Sequence, residues 1–298
     1  GGIATALFAW YLLSHVSILS SFGVVNLDVV SHQILMGIVS VMLLFVPLIL
    51  FLLMKSVPGQ YLHGYEAVYQ LEKKMSKQHK SETGVLSGIR LLLESPYVLG
   101  IFGLVFFYET LNVVLNFQRI FLLKSAASSM ADFTASMFWQ RLQMHIYGMV
   151  LSLVGVQVLL RRFGVKKCLL LVPLLTSILL VFFIMTYSAD SIMYVFLGLG
   201  TINYSFSHPL REVLYIPTVK DMKFKAKAWI DTFGTKFSKG FGSLFAALSG
   251  GAAAGGSALL GVYSLFFTVL MLMWFTTAWL LGKRYSHAIR NNEIIGKD

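Results

Sequence analysis

Eight stretches of this chain are apolar for close to the thickness of a bilayer, and that limits the available folds more than any other feature. A helix needs about 20 apolar residues to cross the hydrocarbon, whereas a barrel strand needs about half as many, in alternation. The runs here are continuous, so helices are the assignment, because a segment in lipid has to satisfy its own backbone hydrogen bonds. The first run goes from Ile3 to Ser21 and the second from Ile34 to Met54. Six more lie near Val98 to Leu123, Met137 to Leu160, Leu169 to Met185, Met193 to Phe206, Ala228 to Leu248 and Leu259 to Leu281. Between the two groups, Lys55 to about Glu94 is polar and contains LEKKMSKQHKSE, which reads as a solvated linker. A water-soluble fold is excluded by composition. Only 12% of the 298 residues are charged and 57% are hydrophobic, against about a quarter charged in soluble domains. The expected fold class is therefore all-α, a polytopic membrane protein.

Charge sets the expected orientation, since Lys and Arg near span ends collect on the cytoplasmic side. Lys55, Lys73, Lys74, Lys77, Lys80 and Arg90 follow the second span, and Arg161, Arg162, Lys166 and Lys167 follow the fourth. Arg211, Lys220, Lys223, Lys225 and Lys227 follow the sixth, and Lys283, Arg284 and Arg290 the eighth. The alternate loops are nearly bare, down to the neutral GGAAAGG hairpin at 250–256. Both ends are expected in the cytoplasm. The net charge of +11 is mostly this asymmetry, so nucleic acid is not an expected partner. The chain opens on Gly1-Gly2 with no Met and is read as a piece of a longer protein. The turn LLRRFGVKK joins the second and third helices of the six-helix group, where it resembles the basic turn of major-facilitator transporters. On that reading residues 1–55 hold the last two helices of an N-terminal half, 56–95 a cytoplasmic linker and 96–298 a six-helix C-terminal half.

Chemistry is concentrated where lipid should exclude it. In WIDTFGTKFSKGFGSLF, from Trp229, α-helical spacing puts Asp231, Thr232, Thr235, Lys236, Lys239, Gly242 and Ser243 within about 140° of arc. Phe233, Phe237, Phe241 and Leu244 fall opposite. Two lysines on one face imply a water-filled cavity or partner anions, or else side chains reaching back to the cytoplasmic surface. In the span from Val98, Tyr108, Glu109, Asn112, Asn116 and Arg119 share about 100° of circumference, a stripe that either lines a pathway or binds helices together. The next span aligns Arg141, His145, Gly148 and Ser152, with Gln140, Gln143 and Tyr147 beside them. Lys236, Lys239, Arg119 and Arg141 outnumber Glu109 and Asp231, so the expected substrate is an anion such as a phosphate ester. No Walker loop, paired metal ligands or nucleophile elbow is present, so neither an enzyme nor a metal or other cofactor is expected.

The stretch from Asn203 to Ser243, NYSFSHPLREVLYIPTVKDMKFKAKAWIDTFGTKFSKGFGS, resembles the signature of the non-mitochondrial ATP/ADP translocases of obligate intracellular bacteria and plastids. Arg211-Glu212 matches the family's basic-Glu pair, Tyr215-Ile216-Pro217 its next element, and Ala228 to Asp231 the approach to its basic helix. Lys236 stands at a basic position of the family, and Lys239 where it has the lysine implicated in transport. One departure matters. Asn112 and Arg119 fit the family's Asn, Glu and basic pattern, but Leu115 occupies the Glu position, with Glu109 one turn earlier.

The resemblance implies a major-facilitator-like bundle of twelve helices, of which this chain carries eight, and exchange of ATP for ADP by alternating access. Phosphates would be held by Lys239, Lys236, Arg141 and Arg119, with Asn112, Tyr108, Glu109 and Asp231 shaping the pocket. Arg211, Glu212 and Lys227 would form a cytoplasmic gate. The expected partners are a nucleotide and membrane lipid, the complete protein would be a monomer, and the expected location is a bacterial inner membrane. Two alternatives stand beside this: a proton-coupled symporter of another organic anion, with Glu109 and His145 as relay, and a non-transporting scaffold.

Overall fold

The computed structural model describes residues 2–15, 26–56, 85–154, 156–219, 222–252 and 256–296. The expected linker over 57–84, the end of the first span and Lys220 lie outside the described residues, as do positions 253–255 of the glycine-alanine hairpin. Among the described residues, eleven α-helical segments follow one another in chain order. They are α1 (Gly2–Ser14), α2 (Leu27–Ser56), α3 (Val85–Glu94), α4 (Pro96–Ala126), α5 (Met130–Val154) and α6 (Val156–Thr186). Then come α7 (Ala189–Ile202), α8 (His208–Leu214), the single turn α9 (Lys227–Trp229), α10 (Thr235–Ala252) and α11 (Gly256–Arg290). Among the described residues no strand occurs, only an isolated bridge between Thr218 and Ile295. The architecture is that of an all-α polytopic membrane protein.

Four helices among the described residues are long and apolar enough to cross a membrane: Leu27–Leu53, Pro96–Ala126, Val158–Thr186 and Leu260–Arg290. The first expected span is described only over Gly2–Ser14, and the other three fall short for a physical reason. The helix α5 carries Gln140, Arg141, Gln143 and His145 along its length, and two others are broken into α and π segments. Asn203–Ser207 is π-helical between α7 and α8, and π-helical Met222–Ala226 and Ile230–Gly234 flank α9 before α10. Single-turn π segments recur at functional sites because the wider turn changes which side chains line up.

The central element is α4. Ser95 caps it, accepting from the Val98 amide, and Pro96 takes the first-turn position where its missing N–H costs nothing. Val98, Ile101, Leu111, Val114 and Leu115 are fully buried. Phe107 stacks on Trp274 of α11 at 6.3 Å, and the Tyr97 hydroxyl donates to the Leu214 carbonyl at 2.7 Å, which ties α4 to the end of α8.

The contact of α4 with α10 depends on small side chains. Gly234, Ser238 and Gly242 repeat every fourth residue and are buried. A Cβ at Gly242 would sit 2.8 Å from the Thr110 carbonyl oxygen, and the Thr110 hydroxyl donates to the Ser238 carbonyl at 3.2 Å. Close backbone approach through small residues drives helix association in lipid. Gly242, expected on the wet face, therefore belongs to the helix contact. The face pattern from α-helical spacing is corrected accordingly into three strips: small residues against α4, the lysines to one side and the phenylalanines to the other.

Within α6 the backbone leaves the helix at Gly164, where φ is 74° and ψ 163°. That break falls in the middle of the basic turn, so Arg161-Arg162 and Lys166-Lys167 flank a chain bend as the sequence predicts. A side chain at Gly164 would be strained in this conformation. Lys166 backs onto Gly282 of α11, so the turn is seated on the bundle.

The two N-terminal helices attach to α5. Ala6, Ala9 and Leu13 are the buried face of α1, and the Trp10 ring packs tilted against that of Trp139 at 4.7 Å. At the start of α2, Asp28 accepts from the Met130 and Ala131 amides, each at 3.3 Å, and His32 bonds the Thr134 hydroxyl at 3.1 Å. An acidic side chain there satisfies open amides at the helix start and complements its dipole.

Candidate functional site

The clamp between α4 and α10 sets the geometry of the site. Glu109 and Lys239 each neighbour a residue of that clamp, Thr110 and Ser238, and they project to the same side. Lys239 Nζ lies 3.6 Å from Glu109 Oε2. The lysine side chain is 47% exposed and the glutamate 17%, so Lys239 stands toward open space with Glu109 behind it. Glu109 Oε2 is buried and accepts no hydrogen bond among the described residues, which leaves the lysine charge as its compensation. The resemblance left open whether Glu109 supplies the carboxylate missing at Leu115. Leu115 is fully buried in the apolar core, whereas Glu109 meets the family's lysine position.

Lys236, one turn before Lys239, is exposed. Arg141 on α5 is also exposed and lies within electrostatic reach of Tyr108 and Arg119. The nearby carboxylates are engaged elsewhere, Asp132 by the Ser128 amide and hydroxyl and Glu109 by Lys239. Lys236 and Arg141 make no ion pair among the described residues. Asn112 is half-buried on the α4 stripe.

Arg119 has a different setting. It is 7% exposed, and Nη1 donates to Gln140 Oε1 at 2.7 Å while Nη2 donates to Asn116 Oδ1 at 2.6 Å. Its guanidinium lies 3.9 Å from the centre of the Phe196 ring. Gln140 in turn donates to the Met193 carbonyl at 2.6 Å, so this one cation joins α4, α5 and α7. A planar fork over an aromatic face is the arrangement that suits arginine.

Tyr108 lines a cavity of about 20 Å³ with Asn203, Ser207, Arg211 and Trp274, room for about one water. Asn203 Oδ1 and Ser207 Oγ are buried without a hydrogen-bond partner among the described residues. Arg211, expected at a cytoplasmic gate, therefore reaches the interior of the bundle, one turn beyond the π-helical segment. His145 sits against Gly2 of α1, with its ring 6.3 Å from that of Tyr204.

The remaining gate residues cluster apart from the central pair. Lys227 Nζ lies 2.7 Å from Glu212 Oε2 and 5.9 Å from the centre of the Tyr215 ring. Burial and then the negative charge of Asp231 push the Tyr215 hydroxyl well above the usual tyrosine value. Asp231 thus belongs electrostatically with this cluster. The cause is local: it lies in π-helical Ile230–Gly234, where α-helical spacing does not hold. The tail after α11 returns here, the Ile295 amide donating to the Pro217 carbonyl at 2.7 Å and the Val219 amide to the Ile295 carbonyl at 3.2 Å. Arg284 and Glu293 form an ion pair that holds the return.

Sequence reasoning missed Phe196 under Arg119, the Asp28 cap on α5 and the returning tail. The four-residue spacing of Gly234, Ser238 and Gly242 was the available signal for the α4 contact; nothing local marks the tail.

A family model described as TLC ATP/ADP transporter matches residues 4–285. The chain belongs to that family. The TLC match runs from within α1 to near the end of α11. Among curated relatives, ADP,ATP carrier protein 3 of Rickettsia bellii is 27% identical over 194 residues, covering 59% of this chain and 38% of the relative. The proteins of the same name from Rickettsia prowazekii and Rickettsia typhi are 26% identical over the same shares. The alignment thus spans well under half the length of these TLC relatives. No solved structure matches the chain.

Proposed function

We propose that the complete protein is a nucleotide carrier that exchanges ATP for ADP by alternating access across a bacterial inner membrane. The observation that carries this reading is the cationic face of α10, where half-exposed Lys239 and exposed Lys236 stand beside a tight α4 contact, in a chain of the TLC family. Lys239, Lys236 and Arg141 bind the phosphates as charge-assisted donors. Asn112 and Tyr108 shape the wall, and Arg119 is the strut that holds it. Glu212 and Lys227, with Asp231 nearby, form the cytoplasmic closure, and Arg211 lines the cavity behind it. Both ends of the chain face the cytoplasm, since the basic loops alternate with bare ones. Residues 1–55 complete an N-terminal half, 56–95 link it to the six helices of 96–298, and one complete protein works as a monomer with a major-facilitator-like arrangement.

No observation favours proton symport through Glu109 and His145: Glu109 is paired with Lys239, and no hydrogen bond or ion pair joins His145 to a carboxylate among the described residues. The test is exchange in liposomes containing the complete protein and loaded with ADP. Labelled ATP accumulates, and Lys239→Gln lowers the initial rate at least about ten-fold with normal insertion. Uptake that is independent of internal nucleotide, or a Lys239→Gln variant that exchanges normally, overturns the reading.

A further inference from the structure

We infer that Glu109 competes with the substrate's phosphates for Lys239 and so sets both the affinity of the site and its preference between nucleotides of different charge. The inference rests on the nucleotide-carrier reading and adds to it the residue that opposes binding.

Three observations lead there. First, Lys239 is the cation found within 4 Å of Glu109 among the described residues, and the buried oxygen of that carboxylate has no hydrogen bond to stand in for it. Second, the lysine side chain is 47% exposed and the glutamate 17%, so Lys239 is the more accessible member of the pair. Third, the backbones that bear the pair are held in close contact. Gly242 leaves no room for even a Cβ against Thr110, and Thr110 is bonded to Ser238 across the same contact.

The consequence follows from electrostatics at short range. When a phosphate occupies Lys239, Glu109 stays within a few ångströms of it, and two anions then share one cation. Repulsion of this kind grows with the charge of the ligand, so it penalises a nucleoside triphosphate more than a diphosphate. In the empty site the same carboxylate neutralises Lys239, so the lysine does not hold its ligand as an isolated buried cation would. A carrier needs this balance, because a ligand bound too tightly is not released on the other side. Glu109 is therefore a specificity-determining residue, with its effect exerted through charge and not through contact with the base or sugar.

The experiment is the ADP-loaded liposome assay with the complete protein and Glu109→Gln, which keeps the shape of the side chain and removes its charge. KM for ATP should fall about five- to ten-fold, KM for ADP should fall less, and the maximal exchange rate should drop as release slows. Glu109→Asp, which draws the carboxylate back by one methylene, should move KM for ATP in the same direction by a smaller factor, and it serves if the glutamine variant does not insert. Unchanged or raised KM for ATP in whichever variant inserts, or equal shifts for ATP and ADP, overturns the inference. Absence of exchange by the wild-type protein would instead remove the carrier reading, and it is scored on the wild type alone.

Discussion

The guanidinium of Arg119 lies over the Phe196 ring at 3.9 Å while both of its outer nitrogens donate within the protein. All three interactions require a planar fork. Replacing it with lysine keeps the charge and loses the fork and the stack, so Arg119→Lys should destabilise the protein by about 1–3 kcal/mol. Thermal unfolding in detergent should show a lower midpoint both with and without ATP. A midpoint equal to wild type would mean that the three-helix strut contributes nothing to stability.

At Gly242 the nearest obstacle to a side chain is backbone, since the Thr110 carbonyl oxygen lies 2.8 Å from the point a methyl group would occupy. The clash cannot be relieved by rotating a side chain. Gly242→Ala should therefore cost about 1–3 kcal/mol, and Gly242→Val more. Gly240, with nothing near its Cβ position among the described residues, should accept alanine with little effect. Denaturant midpoints of the three variants give the ranking directly.

The Glu212 and Lys227 pair is exposed enough, at 45% and 32%, that its contribution to stability is small, under about 1 kcal/mol. Its influence on exchange should be larger than its influence on folding. Glu212→Lys and Lys227→Glu should each change the exchange rate several-fold with melting points near wild type, and the double swap should restore it. Two additive losses would show that the residues act separately and not as a closure.

Among the described residues, Arg141 has no paired carboxylate to release before it can take a ligand. Arg141→Gln should raise KM for ATP by about ten-fold, the worth of one charge-assisted contact, with a smaller rise for nucleotides of lower charge. Equal KM values for variant and wild type would place Arg141 outside the binding face.

Much of this was legible from residue types and spacing. Period and length gave the helices, and Gly164 between paired arginines and paired lysines gave the chain break. The α4 stripe was also readable, since Tyr108, Glu109, Asn112, Asn116 and Arg119 lie on one continuous helix. What spacing could not give was the partner of each polar group. Glu109 and Lys239 are far apart in the chain, and Arg119 rests on Phe196, which one-dimensional reading treats as plain apolar surface. The arc drawn for α10 failed for another reason. It assumed 100° per residue across 230–234, where the backbone takes the wider turn, and within the regular helix it could not tell that Gly242 faces α4.

That wider turn makes the stretch Ile230–Gly234 an offset in residue count between the cytoplasmic closure and the lysine face. The wider turn holds about one residue more than α-helix does over the same rotation, so removing one residue from it would return the helix to ordinary winding with Lys236 and Lys239 at nearly the same angle to Lys227. A one-residue deletion here should thus impair exchange less than a one-residue deletion inside regular α10, which turns the residues on its two sides by about 100° relative to each other. Relatives shorter by one residue at this point would present the same lysine face to the substrate with every other position unchanged.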